Sequence, residues 1–330
     1  VKKGHFLFIL FLLLIISIFF SLLLGAVKTS FIDLINFLFN NEKTYASIFW
    51  EIRFPRLILA FLVGASLSLS GAILQGYFQN PMAGPFVVGV SSGASLGAVF
   101  TYTLNLQFTF LRLSSQTLFA FLSGLFIVYL VYFLSQKGGT IKIETLLLIG
   151  IALGALCSAL TSFLIFWENE SMQEAIFWLL GSFSLADWEK VINFFPYFFI
   201  CFIIAIYFAH EMNLLVQGDE IAQSLGCSVN RMRKIFLILA TFLAAGSVSV
   251  SGIIGFVGLI IPHLVRIIIG PDHRFLFPFS ALLGGIFLIF SDLLSRVIFS
   301  PAELPIGIVT AIIGTPFFIY LLRKKEYLQE

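Results

Sequence analysis

The sequence predicts an all-α, polytopic membrane protein. Three observations carry that prediction. Of 330 residues, 59% are apolar and only 11% are charged; mean hydropathy is +1.04; and the apolar residues gather in runs close to the ~20 that a helix needs to cross hydrocarbon. A soluble domain carries about a quarter of its residues as charge, so this chain cannot coat a water-facing globule. The same composition excludes a disordered polymer and, with a formal net charge of only +2, a basic nucleic-acid-binding domain.

The first run, 6–25, follows Lys2 and Lys3. It is longer than a signal-peptide core and more runs succeed it, so it is read as a retained first helix. The remaining runs are 55–78, 86–106, 116–135, 145–166, 191–209, 234–253, 255–269, 276–298 and 305–322. Ten spans place both ends of the chain on one side. Lys28, Lys43, Arg53, Arg56, Arg112, Lys190 and Arg296 then lie on the far side, and the other twelve of the 19 basic residues lie on the side of the termini. The positive-inside rule makes that side cytoplasmic.

Three loops are long enough to hold structure. Residues 26–54 include an amphipathic run, Phe31–Phe39, and the acidic loop 167–190 includes another, Met172–Leu180. In the polar loop 210–234, Asp219 and Glu220 open a helix-like stretch that Gly226 closes, which suits a short helix outside the membrane. Gly89, Gly93 and Gly97 recur on one helix face, as do Gly150 and Gly154 and the pair Ser66 and Ser70. Such faces serve close helix packing or line a passage. Segments 56–85 and 233–262 share a basic start, an apolar helix, a Ser-Gly step (Ser70-Gly71, Ser251-Gly252) and a closing proline. The second copy starts five spans after the first, so it runs in the opposite sense, as in an inverted repeat.

Several chemistries are missing from the sequence. There is no GxxxxGK[ST] phosphate loop, and His210-Glu211 fails the HExxH pattern because position 214 is Leu. Cys157, Cys201 and Cys227 form no CxxC and suggest neither a disulfide framework nor a metal knuckle. His263 and His273 suit cap or loop roles better than a metal pair. No unpaired carboxylate sits in the middle of a span. Asp292 and Arg296 stand i,i+4 and can pair within one helix.

At this point the motifs resemble a known family. Arg53-Phe-Pro-Arg56, the stretch Gly64 to Gln75, Asn80-Pro-Met82-Ala83 and Gly89-Val-Ser-Ser-Gly93 resemble the first signature of the FecCD-type permeases. Gly255-Phe-Val-Gly-Leu259, Pro262-His263, Arg266 and Gly270-Pro-Asp-His-Arg274 resemble the second. Asp292-Leu-Leu-Ser-Arg296, Pro301 to Gly307 and Gly314-Thr-Pro-Phe-Phe318 resemble the third.

The resemblance implies one transmembrane permease domain over residues 1–330, of type II ABC importer fold, in the cell (inner) membrane with both termini inside. It implies import of an iron–siderophore, haem, cobalamin or similar chelate. The expected partners are a second copy of the chain, two ATP-binding cassette subunits and an extracytoplasmic substrate-binding protein. ATP and magnesium belong to the ATPase, and this chain is expected to have no cofactor, no metal and no catalytic residue of its own. Residue by residue, the family's coupling helix falls on Asp219, Glu220, Ala222, Leu225 and Gly226. Its binding-protein contacts fall on Arg53, Arg56 and Arg296, and its cytoplasmic gate on Asn80, Met82, Gly139 and Thr140. Helices 145–166 and 305–322 are expected to line the passage. The competing reading is an ion-coupled secondary transporter, which needs a carboxylate relay inside the membrane.

Overall fold

The computed structural model describes residues 3–25, 29–40, 47–137, 140–167 and 172–323. Among these, helices stand at all ten expected spans: α1 (Lys3–Leu23), α3 (Phe54–Tyr77), α4 (Val90–Thr103), α5 (Ser115–Ser135), α6 (Ile143–Trp167), α8 (Trp188–Tyr207), α11 (Val229–Ser251), α12 (Val257–Ile269), α13 (His273–Val297) and α14 (Ile306–Arg323). Four shorter helices lie between them: α2 (Phe31–Asn40), α7 (Met172–Leu179), α9 (Ala209–Val216) and α10 (Asp219–Ser224). A π-helical turn, Ser47–Arg53, leads into α3, and two pairs of two-residue antiparallel strands lie between helices: β1 (Thr109–Phe110) with β2 (Leu113–Ser114), and β3 (Gln136–Lys137) with β4 (Thr140–Ile141).

Local signals set several of these boundaries. Ser30 and Asp33 cap α2 reciprocally, each backbone N–H donating to the other's side chain at 2.7 and 3.2 Å. Ser114, Asp187 and Asp272 accept N–H bonds at the starts of α5, α8 and α13. The expected polar loop 210–234 is mostly helical. Hydropathy falls there because the chain leaves the lipid, yet Asn230, Arg231, Arg233 and Lys234 continue a helix without difficulty, so α11 starts at Val229.

Seven of the helices are long and apolar enough to cross a membrane; α12 and α14 are shorter apolar helices. At 1.5 Å per residue, the 14 residues of α4 and the 13 of α12 rise only about 20 Å, against ~30 Å of hydrocarbon. Irregular backbone precedes both. It turns into α4 at Gly89 (φ +83°), and before α12 it passes Gly252 (φ +72°) and Phe256 (φ +69°). Non-helical chain at that depth must find its hydrogen bonds inside the protein. Asn80, Ala83, Val87 and Gly89 donate to carbonyls within 75–86, and Ser182 donates to Ser251 O at 2.9 Å.

The core is built around α3. The apolar stretches of α3, α11 and α13 are 89%, 78% and 72% buried, whereas that of α6 is 17% buried. Glycines permit the crossings. Gly64 and Gly284 place the backbones of α3 and α13 in contact, and a Cβ on either would collide with the other's carbonyl. Gly71 meets the Gly258 carbonyl of α12 in the same way. The Gly93 and Gly97 face of α4 lies against Ile127, Ser123 and Phe119 of α5, and Gly150 of α6 meets Val87 O and the Val88 backbone. These small faces are therefore packing surfaces. Buried hydroxyls find carbonyls across the bundle, Ser66 donating to Leu243 O at 3.0 Å and Ser70 to Ala240 O at 2.7 Å.

The packing repeats with inverted sense. The helix α3 packs on α13 and α12, while α11 packs on α5 and α4. Likewise α4 packs on α5 and α6, and α12 on α13 and α14. The two lead helices run antiparallel, because Arg233 at the start of α11 donates to Tyr77 O at the end of α3.

Gly71 and Gly255 provide a test. A Cβ at Gly255 meets nothing within 4 Å, whereas one at Gly71 overlaps backbone. Gly71→Ala is expected to cost about 1–3 kcal/mol, as overpacking does, and to lower the thermal midpoint in detergent. Gly255→Ala should leave the midpoint in place. Equal midpoints would rule out the glycine crossing as a stabilising contact.

Candidate functional site

Two polar constellations lie at opposite ends of the bundle. At one end α10 projects as a single exposed turn and a half. Gly218 (φ +108°) and Gly226 (φ +85°) bracket it, and both φ values are ones that L side chains rarely adopt. The sequence placed this helix correctly, but its faces differ in use. Ala222 is fully buried and points inward. Asp219 and Glu220 are exposed, as are Leu225 and Gly226. Ile221 was missed; it is 49% exposed and stands four residues before Leu225, 59% exposed. An apolar i,i+4 pair inside a polar loop was the available signal.

The projecting helix is wired to the core. Arg233 of α11 holds Asp219 at 2.6 Å, donates to Tyr77 O at 3.3 Å and lies over the Tyr77 ring at 5.3 Å. Gln79 donates to Leu215 O of α9 at 2.8 Å. Asn213 of α9 accepts from the His273 backbone at 2.9 Å and donates to Asp272 at 2.8 Å, tying α9 to the start of α13. Hydrogen bonds from Arg274, and then from Asn213, hold the Asp272 carboxyl well below the usual carboxylate range. A depressed carboxylate contributes stability above its unfolded pKa that is lost as pH falls through its folded value. This link therefore persists through neutral and mildly acidic conditions.

Asn80 and Met82 of the expected gate follow the end of α3 that Arg233 contacts. Asn80 Oδ1 accepts from the Met82 N–H at 2.9 Å, so its side chain closes the 80–83 turn. Met82 is half-buried. Thr140 lies in β4, and Gly139 lies outside the described residues.

At the opposite end are Arg53, Arg56 and Arg296, the expected binding-protein contacts, and the structure shows them buried and bonded within the chain. None offers a free guanidinium to an outside carboxylate; they are 5%, 6% and 4% exposed. Arg56 chelates Asp292 at 2.9–3.2 Å and Glu303 at 2.9–3.0 Å. Arg296 holds the other side of Asp292 at 3.1 Å. It also donates to the Ser21 hydroxyl at 2.8 Å and to the Ser21 and Leu24 carbonyls at 3.3 and 3.2 Å. Arg53 donates to Leu22 O and, at 2.6 Å, to Thr29 Oγ1. Two arginines thus cap the last carbonyls of α1, where the helix dipole presents partial negative charge. Three cations meet two carboxylates and one helix end, which balances the cluster. Its acids lie 236 and 247 residues from Arg56 in the chain, beyond the reach of local pattern.

The FecCD transport family matches residues 13–324. The chain is 43% identical over 288 residues to the cobalamin import system permease protein BtuC of Halobacterium salinarum, covering 87% of this chain and 76% of that one. It is 38% identical over 323 residues to the hemin transport system permease protein HmuU of Yersinia pestis, covering 97% and 95%. A solved inward-facing structure described as of a metal-chelate type ABC transporter superposes with TM-score 0.85 at 34% identity, covering 98% of this chain and all of that one. PsaBC of Streptococcus pneumoniae, at 16% identity and TM-score 0.57, shares the fold.

The buried network makes a stability prediction. Asp292→Asn leaves two buried guanidiniums without their shared counter-ion and should cost about 3–5 kcal/mol. Glu303→Gln, at a partner whose side chain is 30% exposed, should cost about 1 kcal/mol or less. Thermal unfolding of the two variants in detergent checks the order; a Glu303 variant as unstable as the Asp292 variant contradicts it.

Proposed function

We propose a function from one premise: the chain belongs to the FecCD transport family. It is the membrane-spanning permease of a binding-protein-dependent ABC importer and carries a bulky metal chelate into the cytoplasm. Relatives named for cobalamin, hemin, Fe(3+)-citrate and iron(3+)-hydroxamate import support a chelate of the siderophore, haem or cobalamin kind. A relative named for molybdate import marks the outer limit of that range. Two copies flank the passage, two ATPase subunits power it from the cytoplasmic side, and an extracytoplasmic binding protein delivers the chelate. The termini and α10 face the cytoplasm, in line with the positive-inside bias.

The observation that carries this reading is the exposed α10 and its wiring. Ile221 and Leu225 form the apolar contact for the ATPase, with Glu220 beside them. Gly218 and Gly226 set the projection of the helix. When ATP binding draws the ATPases together, displacement of α10 is passed by Asp219 and Arg233 to the end of α3. The contacts of Asn213 and Gln79 pass it to α13 and to the 78–83 turn. Bistability of the bundle then converts the displacement into exchange of outward and inward openings. The turn closed by Asn80 and Met82, with Gly139 and Thr140, gates the cytoplasmic side. The exposed faces of α6 and α14 line the passage. At the outer end Arg53, Arg56 and Arg296 act by holding the docking surface in shape around Glu303. The ion-coupled alternative has no comparable support, because Asp292, the carboxylate inside the bundle, is held by two guanidiniums.

Reconstitution with the ATPase and binding protein tests the proposal. The double variant Ile221→Asp and Leu225→Asp changes exposed side chains, so its thermal midpoint should match wild type. It should lose co-purification with the ATPase and at least about ten-fold of ATP-dependent chelate uptake, since two apolar contacts are each worth over 1 kcal/mol at an interface centre. Undiminished uptake and co-purification would refute the assignment.

A further inference from the structure

A second surface carries a groove away from α10 and from the buried arginine cluster. Between α5 and α11 lies a groove of about 450 Å³. Leu125, Val128 and Tyr129 line one wall, and Leu237, Ile238 and Phe242 the other. It opens outward, because Tyr129 is 60% and Ile238 55% exposed. Its far end is closed by aromatic rings, Phe242 standing 5.9 Å from Phe121 and 6.0 Å from Tyr197. Its near end is polar. Tyr132 and Lys234 line it, and Arg231 stands three residues before Lys234 on the same helix face.

Lys234 and Arg231 are both exposed. Among the described residues, every ion pair is made by other cations. From Lys234 to Phe242 the helix rises about 12 Å, close to the ~15 Å of hydrocarbon in one leaflet. The groove thus combines an apolar channel one leaflet deep, tyrosines at the depth where aromatic side chains meet headgroups, and two uncompensated cations at its mouth.

We propose that this groove is a binding site for an anionic phospholipid of the leaflet on the α10 side. One acyl chain lies along Val128, Ile238 and Phe242, and the headgroup phosphate sits between Lys234 and Arg231. An apolar groove of this depth does not suit a free phosphate. The paired cations distinguish an anionic headgroup from a zwitterionic one, whose own cation they repel. The site joins α5 to α11, the helices that face each other across the inverted repeat, so an occupied groove fastens the second half of the bundle to the first.

Native mass spectrometry of the full chain in detergent tests the site, with dioleoylphosphatidylglycerol and dioleoylphosphatidylcholine titrated separately. Wild type should bind the anionic lipid at least ten-fold more tightly. Each surface cation contributes about five-fold in affinity for an anionic lipid. Lys234→Gln should therefore weaken phosphatidylglycerol about five-fold, and the double variant with Arg231→Gln about thirty-fold. Phosphatidylcholine binding should not weaken. Ile238→Trp, filling the groove, should remove both lipids. Equal binding of the two lipids by wild type overturns the proposal, as does phosphatidylglycerol binding that survives either the double charge variant or Ile238→Trp. A change of oligomeric state in Ile238→Trp assigns the groove to a second copy of the chain and overturns it as well.

Discussion

Everything in this bundle depends on how closely α3 is approached by its neighbours. In lipid, apolar side chains gain nothing from meeting each other rather than acyl chains, so helices associate through dispersion contacts and hydrogen bonds. Both rise steeply as backbones draw near. Gly64, Gly71, Gly258 and Gly284 bring α12 and α13 onto α3 at backbone distance. Ser66 and Ser70 then reach carbonyls of α11. With α3 enclosed in this way, its two ends become fixed points. One carries Arg56 and the buried charge network, and the other carries Tyr77 and the link to α10.

The same enclosure explains why irregular chain is tolerated at depth. The segments before α4 and α12 are too polar in their backbone to face lipid, yet they lie against α3, α6 and α7. Gly89 and Gly252 take positive φ there. Two short helices are thus each entered through a break, in corresponding places of two inverted halves.

The ten spans were legible because apolar length is a one-dimensional property that lipid imposes. The projecting helix was legible for a similar reason, since acidic residues followed by a glycine mark a short helix in any loop. The use of each face was not. Ala222 reads as an exposed loop residue until α9 and α11 close over it, and Ile221 reads as incidental until it is seen beside Leu225. The arginines show the limit most clearly. Their position near span ends suggested exposure, while their counter-ions, Asp292 and Glu303, and the carboxyl end of α1 come from distant parts of the chain. Gly89 and Phe256 likewise gave no warning that the third and eighth spans begin with a break.

The separation of Arg56 from its partners also has a consequence in time. A ribosome adds about 5–20 residues per second, so the 236 residues between Arg56 and Asp292 take roughly 10–50 s to make. Until Asp292 is made, Arg56 lacks the carboxylate that it pairs with in the folded chain, so the charged cluster that joins α3 to α13 can close only late in synthesis.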